Sequence, residues 1–400
     1  MAVEHVPDWK GYSWTRLLRA VAIALETRKI LLAMVGLLLL QSGWWAIDQL
    51  FGAPFAVEVL PEVSRPAWPA QLSGEDVGSA LVDNARLAID PAWKLMAPFV
   101  AVFEIGSGTA RWCAALLMGL WGLGVGVVLG AAISRIAVMD AVLGDAVGVV
   151  TALKFALRRI KGLIGAPLIA LIGVTCFGLP GLGVGALYRV LDPNLVGWLG
   201  FVPLLVGVVM ALVLLGLAMS WPLMTTTIAV EGDDAFDALS RSYSYFFQRT
   251  ARYGFYLAIV WASAAVGLVV VGAFAQMVIH LALWSQAFTA PDRLLLAAYQ
   301  VGTTSTEVAA PGAAAAGFWL LLIGLITRGV VVSLFWSSMV LVYLMIRHDV
   351  DGTSWHDVCR GDEDAVEPAF VPEPTHADAT GNAHAHATSQ PAAAEAAVSS

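Results

Sequence analysis

The chain has 400 residues, 59% of them hydrophobic and only 13% charged, with a mean hydropathy of +0.77 and a formal net charge of −8. A soluble domain carries about 25% charged residues, so a surface this poor in charge has to face lipid, and a water-soluble globular fold is excluded. The acidic excess sits mostly in loops and the C-terminal segment, so the net charge says little about nucleic acid, and no nucleic-acid partner is expected.

A helix that crosses the hydrocarbon core needs about 20 mostly apolar residues. Ile30 to Phe51 meets that length and holds the aromatic pair Trp44–Trp45. No small-residue cleavage site follows it closely, so it reads as a retained anchor rather than a signal peptide. Trp112 to Ile133 is a second span. Leu163 to Leu179 is a shorter third, closed by Pro180, and Trp198 to Ser220 is a fourth that ends before Trp221–Pro222. Phe255 to His280 is a fifth. Gly317 to Ile346 is apolar apart from Arg328 and reads either as one long, kinked span or as an interfacial segment followed by a span. The expected fold is therefore all-α, a polytopic bundle of about six transmembrane helices occupying residues 30–348.

The segments between these spans follow a charge rule. With the N-terminus inside, the inner segments hold most of the Lys and Arg, among them Arg28, Lys29, Arg135, Lys154, Arg158, Arg159, Lys161, Arg241, Arg249, Arg252 and Arg347. That is the positive-inside pattern, and an even number of spans then puts both ends of the chain in the cytoplasm. The proline-rich outer loop 52–111 is the largest, and its stretch Met96 to Ile105 is too short to cross and reads as interfacial. The segment 349–400 is rich in Ala, Pro, acidic and small polar residues and is expected to be disordered.

Three inner segments are amphipathic. Trp14, Leu17, Leu18, Val21 and Leu25 form one apolar stripe, within the N-terminal segment 1–29. Val150, Leu153, Leu157 and Ile160 form a second, flanked by Lys154, Arg158, Arg159 and Lys161, which are candidates for contact with the lipid surface. Phe236, Leu239, Tyr243 and Phe246 form a third, entered through Asp233 and Asp234 as acids suited to a helix N-terminus. Helices of this kind lie in the membrane interface. The second and third each follow an Ile-Ala-Val triplet and lead into a span, which reads as a weak internal repeat.

Several local patterns need weighing. Gly122, Gly126 and Gly130 share one face of the second span and are candidates for close helix packing. Gly181, Gly183 and Gly185 lack the preceding strand of a dinucleotide loop and read as a turn. Asp349-Val-Asp351-Gly352 opens like a calcium loop, but Arg360 stands where the closing glutamate belongs, so it reads as a polar exit from the last span. His376, His384 and His386 belong to the disordered segment, and Cys113, Cys176 and Cys359 have neither disulfide nor zinc spacing. No cofactor or metal set is indicated. Arg328 is the candidate functional charge, since an intramembrane cation marks function by default. Its position near the outer end allows its head to snorkel to water instead. In Glu231 to Arg252 the acids precede a helix and the bases follow it, which reads as helix-end electrostatics rather than as a convergent site.

The block AVEGDDAFDALSRSYSYFFQR (Ala229 to Arg249), with SWPLM (Ser220 to Met224), ISRIAV (Ile133 to Val138) and LVYLMIRHDVDGT (Leu341 to Thr353), resembles a group of uncharacterised bacterial polytopic membrane proteins. More distantly, the alternation of spans and amphipathic helices is similar to the membrane domains attached to glycerophosphodiester phosphodiesterases. The resemblance implies a bacterial inner membrane and brings no activity or site residues. Without a membrane-embedded acid pair or an activated nucleophile, the sequence points to a non-enzymatic interaction or envelope-organising subunit. Its expected partners are membrane lipids and other membrane-protein subunits. A small-solute transporter or channel component is the alternative.

Overall fold

The computed structural model describes residues 13–52, 74–104, 106–288, 311–355 and 357–359. The N-terminal stretch is a 3-10 helix, Ser13–Arg19, running into α1 (Ala20–Ala24). There follow α2 (Thr27–Phe51), α3 (Gly74–Val102), and α4 (Thr109–Val138), which ends in a π turn, Met139–Leu143. Next come α5 (Val149–Arg158), α6 (Ile160–Leu187), the single turn α7 (Pro193–Val196) and α8 (Phe201–Glu231). The chain continues with α9 (Ala235–Gln248), α10 (Thr250–Ala287) and α11 (Pro311–Asp351). The fold is an all-α polytopic bundle, and among the described residues six helices are long and apolar enough to cross a membrane: α2, α4, α6, α8, α10 and α11.

These helices run further than the apolar stretches foretell. α6 continues through Pro180 and takes in Gly181, Gly183 and Gly185, so no turn forms there. α8 passes through Trp221–Pro222 to Glu231. In lipid the unpaired backbone has no water to turn to, so a helix interrupted by proline is kept intact by its neighbours. The apolar stretch around Arg328 is one continuous helix. In the large loop, Met96 to Val102 is only the end of α3, a helix of 29 residues that packs on α4, α10 and α11. Charged residues and two internal prolines break its apolar run, which hid its length.

Three of the long helices, α4, α8 and α11, contact one another and form the centre. Their packed halves are almost wholly buried, from Val127 to Met139, from Ser220 to Val230 and from Ser337 to Ile346. Trp221, Phe335 and Trp336 interlock between α8 and α11, with Trp221 stacked on Phe335 at 6.1 Å and edge-on to Trp336 at 5.5 Å. Each central helix ends at a glycine with positive φ, Gly144 after the π turn of α4, Gly232 after α8 and Gly352 after α11. Only glycine adopts that left-handed cap without strain.

Around this centre the arrangement repeats three times along the chain. One unit is a short helix, an outer span and a central span: α1, α2 and α4, then α5, α6 and α8, then α9, α10 and α11. In each unit the outer span packs on its own central span. Each later short helix packs on the central span of the unit before, α5 on α4 and α9 on α8, and α1 closes the ring by packing on α11. The sequence shows two of these copies, and the third is visible only from the closure.

The short helices turn small residues to the protein. Ala20 and Ala24, Ala152 and Ala156, and Ala238 and Ser242 are buried pairs spaced by four. Members of the expected apolar stripes stay outside: Leu18, Leu25, Val150, Leu157 and Phe236 are exposed. Without a hydrophobic drive between helices in lipid, close approach through small residues decides which face packs.

Candidate functional site

The predicted packing glycines sit where helices meet. Gly122 faces Leu40, Trp44 and Leu95, Gly126 faces Leu95 of α3, and Gly130 faces the Trp336 ring of α11. The second amphipathic helix carries Lys154 and Arg158 on its exposed side beside Val150 and Leu157. Lys161 is exposed just beyond it, while Arg159 is half-buried against Gly232.

Arg328 does not rely on snorkelling to water. Its guanidinium donates to Asp90 of α3 at 2.9 Å, and Lys94 reaches the same carboxylate at 2.9 Å. The three side chains are largely covered and border a small apolar cavity of about 60 Å³ between α2, α3, α4 and α11. Asp90 escaped the sequence reading because its helix was taken for a loop.

The larger polar feature lies where the central helices end. There, Glu231 and Asp233 converge with Arg241 of α9 and with Arg347 of α11, contrary to the expectation that acids and bases stay apart. The missing participant was Arg347, which lies 116 positions further along and reaches Glu231 at 3.4 Å only through the packing of α11 on α8. Glu231 also accepts from the Tyr343 hydroxyl, Asp351 accepts from Tyr245, and Asp349 accepts from Tyr256 at 2.5 Å and pairs with Arg252 at 3.2 Å. Arg347 is 4% exposed in its side chain and donates to the Asp357 carbonyl at 2.6 Å, while the Cys359 amide donates to the Val230 carbonyl at 3.0 Å. The residues after α11 are thereby laid against the end of α8. Asp234, not Asp233, caps α9, accepting from the Phe236 and Asp237 amides.

The segments Ala229 to Arg249 and Leu341 to Thr353, distant in sequence, thus build one site. It encloses an open polar pocket of about 730 Å³, lined among others by Glu231, Asp233, Arg241, Tyr245, Arg347 and Asp351. Burial, and then the neighbouring charge of Glu231, raise the Asp233 carboxyl above its ordinary value, with Arg241 opposing. Burial works against the Arg241 charge, yet Glu231 and Asp233 outweigh it and hold the guanidinium above its usual range. Burial likewise pushes the Tyr243 hydroxyl, which donates to the Val213 carbonyl at 2.9 Å, up to about 12.

Two further buried cations belong to the same end. Lys29 is fully buried, donates to the Ile23 carbonyl at 2.7 Å and pairs with Glu26 at 3.0 Å and Asp140 at 3.6 Å. Arg135 donates to the Ala229 carbonyl at 3.1 Å and lies 4.5 Å over the Phe155 ring. Paired this way, Lys29 ties the elements of the first unit together and Arg135 ties the first unit to the second, since a buried charge is tolerated only when its hydrogen-bonding capacity is met. A carboxylate already held by arginines and a tyrosine is poorly placed to move protons for a substrate. Comparison of the chain with protein-family models, with curated proteins and with solved structures finds no match in any of the three.

Proposed function

We propose that this integral membrane protein is a non-enzymatic interaction subunit of a bacterial cytoplasmic membrane, with the polar end pocket as its docking site for a second membrane-protein subunit. The observation that carries the reading is the convergence of Glu231, Asp233, Asp351, Arg241 and Arg347 around an open space of about 730 Å³. Both signs of charge are presented on fixed helices, which favours a polar polypeptide segment over a simple ion. The pocket faces the cytoplasm in this reading, because Arg28, Arg135, Arg241 and Arg252 gather at that end. The exposed Lys154, Arg158 and Lys161 then meet anionic headgroups, each contributing about 1 kcal/mol to anchoring, while Arg159 is turned to Gly232.

The small-solute transporter draws support from the repeat, since many transporters are built from internal repeats. The interlocked Trp221, Phe335 and Trp336 oppose it, because they fill the space between central helices that a solute would have to cross. A photo-crosslinking residue at Ser240, which lines the pocket, and one at exposed Leu204 on α8 separate the two readings. The expected outcome in cells is one discrete protein adduct from Ser240, lipid adducts alone from Leu204, and unchanged solute permeability of reconstituted vesicles. Flux through the purified protein with no Ser240 adduct would reverse the choice. A reporter fused after Ser240 should read inside and one after Asn194 outside.

A further inference from the structure

The ring of three units is closed unevenly. α2 packs tightly on the neighbouring unit's α11, where a β-carbon added to Gly329 would lie 2.9 Å from Met34 and 3.2 Å from the Ile30 carbonyl. At the corresponding boundary between the second and third units, α10 is tied to α8 by the Tyr253 hydroxyl, which donates to the Met219 carbonyl at 2.7 Å. Beyond that bond the two helices part around a cleft of about 450 Å³, walled by α8, α10 and α11 and by one turn of α3. Its back is apolar and buried, with Val260, Leu334, Phe335 and Met339, while Ile89, Met219 and Trp261 stay exposed at its mouth.

One polar group in the lining is left unsatisfied. Ser338 is 2% exposed, borders the cleft, and its hydroxyl has no hydrogen-bond partner. Serines in apolar helices ordinarily bond back to the preceding turn, as Ser220 does to Gly216 at 2.6 Å. Leaving a buried hydroxyl open is unfavourable, so an acceptor in the cleft would be favoured. At the end where Tyr253 and Gly254 line the cleft, the exposed Arg249 and Arg252 begin α10.

From these features we infer that the cleft between α8 and α10 is a specific site for one acyl chain of an anionic glycerophospholipid. Three of its walls are membrane-spanning helices, so hydrocarbon is the medium at its mouth. Its volume falls within the range of small-ligand sites, about 300–1,000 Å³. An ester carbonyl of the lipid supplies the acceptor that Ser338 lacks, and the anionic head lies toward the end where Arg249 and the Asp349-paired Arg252 stand. This assignment is independent of the polar end pocket and of what docks there.

The test uses the full chain in nanodiscs containing phosphatidylglycerol with a diazirine on one acyl chain, irradiated and mapped by peptide mass spectrometry. Adducts are expected on residues 254–261 of α10 and 334–339 of α11, and when the protein is washed with detergent before irradiation they should persist while adducts on the exposed α8 residues Leu204, Leu205 and Val208 are lost. Gly254 has open space where a side chain would go, so Gly254→Leu with Ala258→Leu fills the mouth without touching the core. The cleft adducts should fall about tenfold, with the α8 adducts unchanged. Ser338→Ala should weaken retention in the same direction, and replacing phosphatidylglycerol by phosphatidylcholine should do so too. Cleft adducts that a wash before irradiation abolishes together with those on α8, or that ignore all three changes, would overturn the site as mere annular lipid.

Discussion

At the scale of single residues, three glycines with one sequence spacing meet three different environments. A β-carbon added to Gly122 would meet Leu95 and Trp44 at 3.5 Å, an ordinary contact, whereas one at Gly130 would lie 2.3 Å from the Trp336 ring. Trp336 is itself held by Trp221 and Phe335 and cannot give way. Gly130→Ala is therefore expected to cost about 1–3 kcal/mol through overpacking, and Gly122→Ala less than about 0.5 kcal/mol, measured by thermal unfolding in detergent. Equal effects would mean that Trp336 is free to move. Asp233 gives a pH test. Burial and Glu231 raise its folded-state value above the unfolded 3.8, so the folded form binds its proton more tightly. The stability this contributes is present below the unfolded value and is lost as pH rises through the folded one. Asp233→Asn removes that loss. The melting temperature of the variant minus that of the parent should grow between about pH 4 and pH 7. A difference that shrinks over that range would show that Arg241, not burial, governs the group.

At the scale of elements, the amphipathic helices show how lipid reverses an ordinary reading. In water the large apolar stripe seeks the core. Here Ala152 and Ala156 pack on α4, and Val150 and Leu157 remain outside with Lys154 and Arg158. Ala156 is 1% exposed and Leu157 49%. Ala156→Leu should destabilise the protein by about 1–3 kcal/mol and speed hydrogen exchange in α5. Leu157→Ala should change stability by less than about 0.5 kcal/mol. The reverse ranking would show α5 turned with its stripe to the protein. α9 follows this only in part, since its buried face joins the small Ala238 and Ser242 to the large Tyr245 and Phe246, while Phe236 and Phe247 stay exposed.

At the scale of the whole molecule, ring closure assigns a task to the N-terminal helices. Leu17, Ala20 and Ala24 are buried, Val21 fills the notch at Gly267 of α10, and Ser333 of α11 donates to the Ala24 carbonyl at 2.7 Å. Residues 13–24 thus bind the third unit to the first. Removing the chain before Glu26 should leave the protein inserted but raise hydrogen exchange in 330–346 of α11 and in 260–268 of α10. Exchange that rises only in α2 would show that the helices merely precede the first span.

Composition and the length of the apolar runs were enough to determine an all-α membrane bundle and six spans, because hydrocarbon leaves a backbone no other way to satisfy itself. The capping region before α9 was legible for a local reason, and the span, short helix, span rhythm was legible in two copies. Three things were decided only by tertiary structure. Asp90 finds Arg328 because α3 packs on α11, and Arg347 reaches Glu231 because α11 lies beside α8; both pairs join residues distant in sequence. The third is the face each short helix presents to its neighbours. Polarity and spacing alone cannot choose between water, lipid and protein for a large apolar side chain, whereas the close approach of two helices can, since only a small residue fits between them.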